Sequence, residues 1–216
     1  LRDGRLGEDA GDMRAGDGPA DAGPVADSAP AADGGPPGDG AVDAGGPQRC
    51  EAWASPASVG QAGEPLLLEA SGVVAGRVDP SRLWLHNDSG DDAVLYALSV
   101  EDGRSLGRFL LLGVDAVDFE DIAAGACPGE PERACLWVAD IGDNGRQRAA
   151  VRVHVVPEPP AGASPGPLRP LGAVTLQYPG GARDAEALLV APDGAALWII
   201  DKGGEGGVSQ VFEAGG

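Results

Sequence analysis

Three tryptophan-centred tripeptides set the strongest constraint on the fold. Leu83-Trp84-Leu85, Leu136-Trp137-Val138 and Leu197-Trp198-Ile199 recur 53 and 61 residues apart. Three residues after each tryptophan stands an amide or carboxylate (Asn87, Asp140, Asp201), with glycine close behind. Each tripeptide is preceded by a strand-like segment, at 71–75, 120–124 and 186–190, and followed by another, at 94–98, 151–156 and 208–212. The first two repeats add a fourth, at 106–112 and 174–178. Short apolar runs at this spacing, broken by Asp-Gly, Pro-Gly and Gly-Gly turns, indicate an all-β fold. Four antiparallel strands per repeat at this period indicate blades of a β-propeller.

The repeats place blades at about 71–112, 118–178 and 184–216, within a folded region of 50–216. The third repeat reaches Gly216 before a fourth strand, and propellers close with about four to eight blades. The expectation is therefore a partial propeller, six-bladed and monomeric when complete, whose remaining blades follow Gly216. The segment 66–68 is the expected closing strand.

Residues 1–49 are of another kind. Asp, Gly, Ala and Pro dominate, as in Gly16-Asp17-Gly18-Pro19 and Asp33-Gly34-Gly35-Pro36-Pro37, with no aromatic residue and no apolar period. Such a segment buries too little surface to offset the entropy of ordering it, about 1–2 kcal/mol per residue. Charge repulsion and proline predict an extended, disordered acidic linker. The whole chain carries a formal charge of −19, which argues against nucleic acid or an anionic membrane surface as a partner and favours cations. No apolar run approaches the roughly 20 residues that span a bilayer.

Cys127 and Cys135 bracket the turn-rich loop Pro128-Gly129-Glu130-Pro131-Glu132. A disulfide stapling that loop is the expectation, because two thiolates alone do not complete a tetrahedral metal site. Cys50 is then the odd cysteine. Pro47-Gln48-Arg49 lacks the small apolar residues of a lipid-attachment site, which leaves a cysteine elsewhere in the protein as its partner. Tether, disulfide and acidity together predict an exported protein, secreted, periplasmic or at the cell surface.

In a propeller the first strand of each blade lines the central channel. Two of these strands open with carboxylates, in Asp118-Phe119-Glu120-Asp121 and Arg183-Asp184-Ala185-Glu186. Glu120 and Glu186 align by repeat with Ser71, and Asn87, Asp140 and Asp201 align with one another. Oxygen ligands repeated about one axis suit a calcium ion, so Glu120, Glu186, Asn87, Asp140 and Asp201 form the candidate metal set. The alternative is structural: Glu120 pairs with an arginine such as Arg183, or these groups cap blade turns. His86 is a candidate general base at the channel mouth. His154, inside an apolar strand, is expected to be packed. Asn87-Asp88-Ser89 also fits a glycosylation acceptor.

The segments 83–91 and 118–123, with Asp140-Ile141-Gly142-Asp143-Asn144 and Gly181-Ala182-Arg183-Asp184-Ala185-Glu186-Ala187, resemble motifs of a poorly characterised family of exported bacterial β-propellers. The acidic tail resembles linkers of secreted or lipid-anchored myxobacterial proteins. More distantly, the acid-led strands resemble calcium-dependent six-bladed propellers of the gluconolactonase and paraoxonase type and the phytase-like esterase propellers. That likeness implies calcium at the channel through Glu120, Glu186, Asn87 and Asp140. Two functions follow as expectations. One is a binding or scaffold module on a tether, presenting loops to a protein, glycan or small molecule. The other is a calcium-dependent hydrolase of a lactone, ester or phosphoester.

Overall fold

The computed structural model describes residues 58–203 and 207–215, together with Gly11, Asp12, Arg14 and Ala15. Those four pair as strands, which departs there from the disordered linker expected over 1–49; the rest of that segment lies outside the described residues, as does Cys50. All regular structure among the described residues is β, arranged in three sheets. The strands belong to one unit comprising residues 1–16 and 59–216.

Near the N-terminus are two dipeptide strands, β1 (Gly11–Asp12) and β2 (Arg14–Ala15). The first sheet runs through β3 (Ala70–Ala75), β4 (Arg82–Asn87), β5 (Val94–Ser99) and β6 (Ser105–Leu111) as an antiparallel meander. The second repeats the pattern with β7 (Phe119–Cys127), β8 (Glu130–Asp140) and β9 (Val151–Pro157). The loop after β9 carries β10 (Gly166–Leu168), which adds to the first sheet parallel to β6. The chain then returns as β11 (Gly172–Gln177), fourth strand of the second sheet, beside which β1 pairs in parallel. The third sheet contains β12 (Ala185–Val190), β13 (Ala196–Asp201) and β14 (Val211–Gly215).

Two expectations need correction. Segment 66–68 forms a turn and coil and pairs with no strand. Beyond β14 lies β2, antiparallel to it. The last expected strand also moves, from 208–212 to Val211–Gly215. The residues before it include the Ser209-Gln210 stretch, and Gln210 N is held by the Asp201 side chain at 2.7 Å, which keeps that stretch in a loop.

The second sheet explains why Leu136-Trp137-Val138-Ala139 reads as an unbroken apolar run. Alternate side chains of a strand face opposite ways, and this sheet is buried on both faces. Leu136 and Val138 join Trp84, Leu95, Phe109, Phe119 and Val156 in one core. Trp137 and Ala139 join Val153, Leu176, Leu197, Ile199 and Phe212 in a second. The third sheet is covered on one face alone. Leu189 and Val211 on the other face are about half exposed, with Trp198 and Ile200 beside them half-buried.

The first strands of the three sheets lie side by side, with β7 against both β3 and β12. No ladder joins them. Side chains bridge the gaps instead: Ser71 Oγ donates to the Glu120 carbonyl at 2.9 Å, and Leu188 N donates to Asp121 Oδ2 at 2.7 Å. The expected Cys127–Cys135 disulfide is formed and staples the β7–β8 hairpin. Closing so short a loop in the unfolded chain is worth about 2–3 kcal/mol. A Cys127→Ala, Cys135→Ala variant should lose that much in urea unfolding, and an unchanged midpoint would contradict it.

Candidate functional site

In all three sheets the ladder between the first and second strands breaks at one equivalent place. Ala70, Phe119 and Ala185 pair with Asn87, Asp140 and Asp201, and pairing then skips one residue in the second and third sheets and two, Ser71 and Gly72, in the first. The residue that follows each paired position is Ser71, Glu120 or Glu186. A bulge leaves its extra residue unpaired and re-aims its side chain, so Glu120 and Glu186 leave the regular pleat at matching points.

Two residues earlier stand Asp118 and Asp184. Their side chains and those of Glu120 and Glu186 converge at the heads of neighbouring strands β7 and β12. Asp88, just beyond the end of β4, comes in from the first sheet. Oxygens of Asp88, Asp118 and Glu120 lie within 4.8 Å of one another, and so do oxygens of Glu120, Asp184 and Glu186. Glu120 belongs to both groups. These acidic groups could hold a metal ion.

The electrostatics are those of a crowded anionic site. Burial, and then the charges of Glu186 and Asp118, push the Glu120 carboxyl up to about 8. Burial and the Asp88 charge raise Asp118 as well. Both residues are 8% exposed, and Asp118 Oδ1 is buried without a hydrogen-bond partner. Lys202 Nζ lies 2.6 Å from Glu186 Oε1 and 3.8 Å from Asp184 Oδ2, and the charge of Arg148 also acts on Asp118. Gly142 forms one wall: a Cβ there would come within 2.5 Å of the Asp118 carboxylate and also strike Glu120. Only glycine leaves the two carboxylates that space.

The five residues expected to act as one metal set are divided. Glu120 and Glu186 lie in the carboxylate cluster. The other three carry bonds that organise the strand ends. Asn87 Oδ1 accepts from Leu68 N and Glu69 N, while its Nδ2 donates to Leu66 O, Asp91 Oδ2 and Tyr96 Oη. Buried and engaged in this way, Asn87 is poorly placed for glycosylation. Asp140 accepts from Val117 N and Asp118 N, and Arg148 Nη1 pairs with it at 2.8 Å. Burial works against its charge, but His154, Arg148 and the Asp118 N–H outweigh it and hold the pKa below the usual value. Asp201 accepts from Gly203 N and Gln210 N and pairs with Arg183 at 3.3 Å. Arg183 therefore serves Asp201, not Glu120.

His86 is fully buried, with Nδ1 2.7 Å from the Asn87 carbonyl and its ring edge-on to Phe119. Burial lowers its pKa, so it is a neutral core residue rather than a base open to the channel mouth. His154 also packs against Phe119 and lies 4.0 Å from Asp140.

Asp118, Asp184 and Asp88 escaped the sequence reading. The signal for two of them was present: Asp118-Phe119-Glu120 and Asp184-Ala185-Glu186 are the same Asp-x-Glu pattern, and residues two apart share one face of a strand. Nothing marked Asp88, which joins the cluster from a different sheet. No family model, curated protein or solved structure matches the chain.

Proposed function

We propose that the three sheets are consecutive blades of an exported β-propeller, six-bladed when complete, that acts as a binding or scaffold module on its acidic linker and holds calcium at the heads of its inner strands. The observation that carries the calcium reading is the convergence of two Asp-x-Glu motifs and Asp88 on Glu120. Two oxygens bound to one calcium lie at most about 4.8 Å apart, twice a Ca–O bond of about 2.4 Å. The described triads meet that limit, and their all-oxygen donor set suits a hard cation better than zinc. The side-by-side first strands and the apolar outer face of the third sheet support the propeller reading, since a further blade would cover Leu189 and Val211.

A cation there neutralises the cluster and fixes three sheets to one another, which suits a rigid platform for a protein, glycan or small molecule. Calorimetric titration of the protein with calcium chloride tests this. Binding that disappears in a Glu120→Gln, Glu186→Gln variant is the expected result; no heat in the wild type, or equal heat in the variant, would sink the calcium reading.

One observation favours hydrolysis as a second reading. A divalent ion held by these carboxylates can polarise an ester or phosphoester oxygen or activate a water for attack. Assay of the calcium-loaded protein on lactone, aryl-ester and phosphoester substrates separates the readings. Turnover lost in Glu120→Gln would favour the enzyme.

A further inference from the structure

The two carboxylate groups that share Glu120 are not in the same condition. In the Glu120–Asp184–Glu186 group the ammonium of Lys202 sits 2.6 Å from Glu186 and 3.8 Å from Asp184. Asp184 Oδ1 meanwhile accepts from Asp143 N at 3.0 Å, which turns Oδ2 toward the lysine. In the Asp88–Asp118–Glu120 group no lysine or arginine forms an ion pair within the described residues. Asp118 there is more than nine-tenths buried, with Oδ1 lacking any partner.

A buried carboxylate oxygen without a donor is costly. A cation beside it would remove that cost. The lysine, in turn, shows where a cation sits in the other half.

We propose that the cluster is a pair of cation sites bridged by Glu120, in which a divalent ion binds at Asp88–Asp118–Glu120 while the Lys202 ammonium occupies the second site as a built-in, displaceable counter-ion. This rests on the calcium reading above and extends it to stoichiometry. The lysine can leave. Its side chain is 53% exposed, and what fixes its backbone is a separate bond, from Lys202 N to the Asp184 carbonyl at 2.8 Å. With the ammonium gone, oxygens of Glu120, Asp184 and Glu186 keep the spacing that a second hard cation needs. With the ammonium present, charge repulsion across Glu120 and loss of the Glu186 ligand both oppose a second ion.

The test is calcium titration by calorimetry at pH 7.5, comparing the wild type with Lys202→Gln and Lys202→Arg, with circular dichroism to confirm that each variant is folded. The expected result is one ion for the wild type and for Lys202→Arg, and two for Lys202→Gln. Adding Glu186→Gln to Lys202→Gln should return the count to one, at an affinity within about threefold of the wild type. A single ion in Lys202→Gln at unchanged affinity overturns the inference while leaving calcium binding intact. Two ions in the wild type do the same. No binding in any variant removes the underlying calcium reading.

Discussion

In the absence of divalent ions, Glu120→Gln should raise the melting temperature at pH 8 by on the order of 5 °C while abolishing calcium binding. The folded chain holds the Glu120 proton up to about pH 8, whereas an unfolded carboxyl releases it near its ordinary value of about 4.3. Between those limits the native state binds more protons than the unfolded state, so stability falls as pH rises, and the loss levels off above pH 8. Asp118, shifted in the same direction, adds to the slope. A glutamine does not ionise and escapes the penalty. A difference of a couple of kcal/mol moves the midpoint of a domain this size by about 5 °C.

The acid limb runs the other way. Asp140 and Asp91 have depressed pKa values, so their contribution is present above the ordinary carboxylate range and is lost as pH falls through it. Stability without metal should therefore peak in mildly acid solution. Calcium should flatten the decline toward pH 8 in the wild type and do nothing for Glu120→Gln. Melting curves over pH 4 to 9, with chelator and with calcium, would show this. A wild type equally stable at pH 5.5 and pH 8 in chelator would remove the electrostatic account of the cluster.

Asp140→Ala should cost about 3–5 kcal/mol, the range for leaving a buried partner charge uncompensated. The carboxylate is wholly buried, takes the Val117 and Asp118 N–H groups, and pairs with Arg148. Alanine strands both donors and leaves Arg148 only its bond to the Gly142 carbonyl. Because Asp140 anchors the residue that bears the unpartnered Asp118 oxygen, calcium affinity should fall with stability. Asp140→Asn, which keeps an acceptor of the same shape, should lose less than half as much in urea unfolding. Equal losses for Ala and Asn would assign the effect to charge alone; a loss under about 1 kcal/mol for Ala would refute the anchoring role.

The sequence alone determined the three-sheet pattern, because the Trp-centred strand is an apolar run buried on both sides in the middle repeat and its period survives loop insertions. It also pointed to the β7–β8 staple, since seven residues of turn-rich chain separate the two cysteines and Cys50 is the one other cysteine in the sequence. Glu120 and Glu186 were legible as repeat-equivalent acids. What only the tertiary structure decided is which oxygens meet. Asn87, Asp140 and Asp201 recur as regularly as Ser71, Glu120 and Glu186, yet backbone N–H groups of neighbouring loops claim them, and loop bonds leave no trace in a repeat. The bulge at Ser71, Glu120 and Glu186 turns those side chains out of the pleat, and Asp88 and Lys202 reach the same cluster from the ends of different sheets. A linear pattern records the period of one strand; convergence across strands that share no hydrogen bonds is set by how the sheets pack.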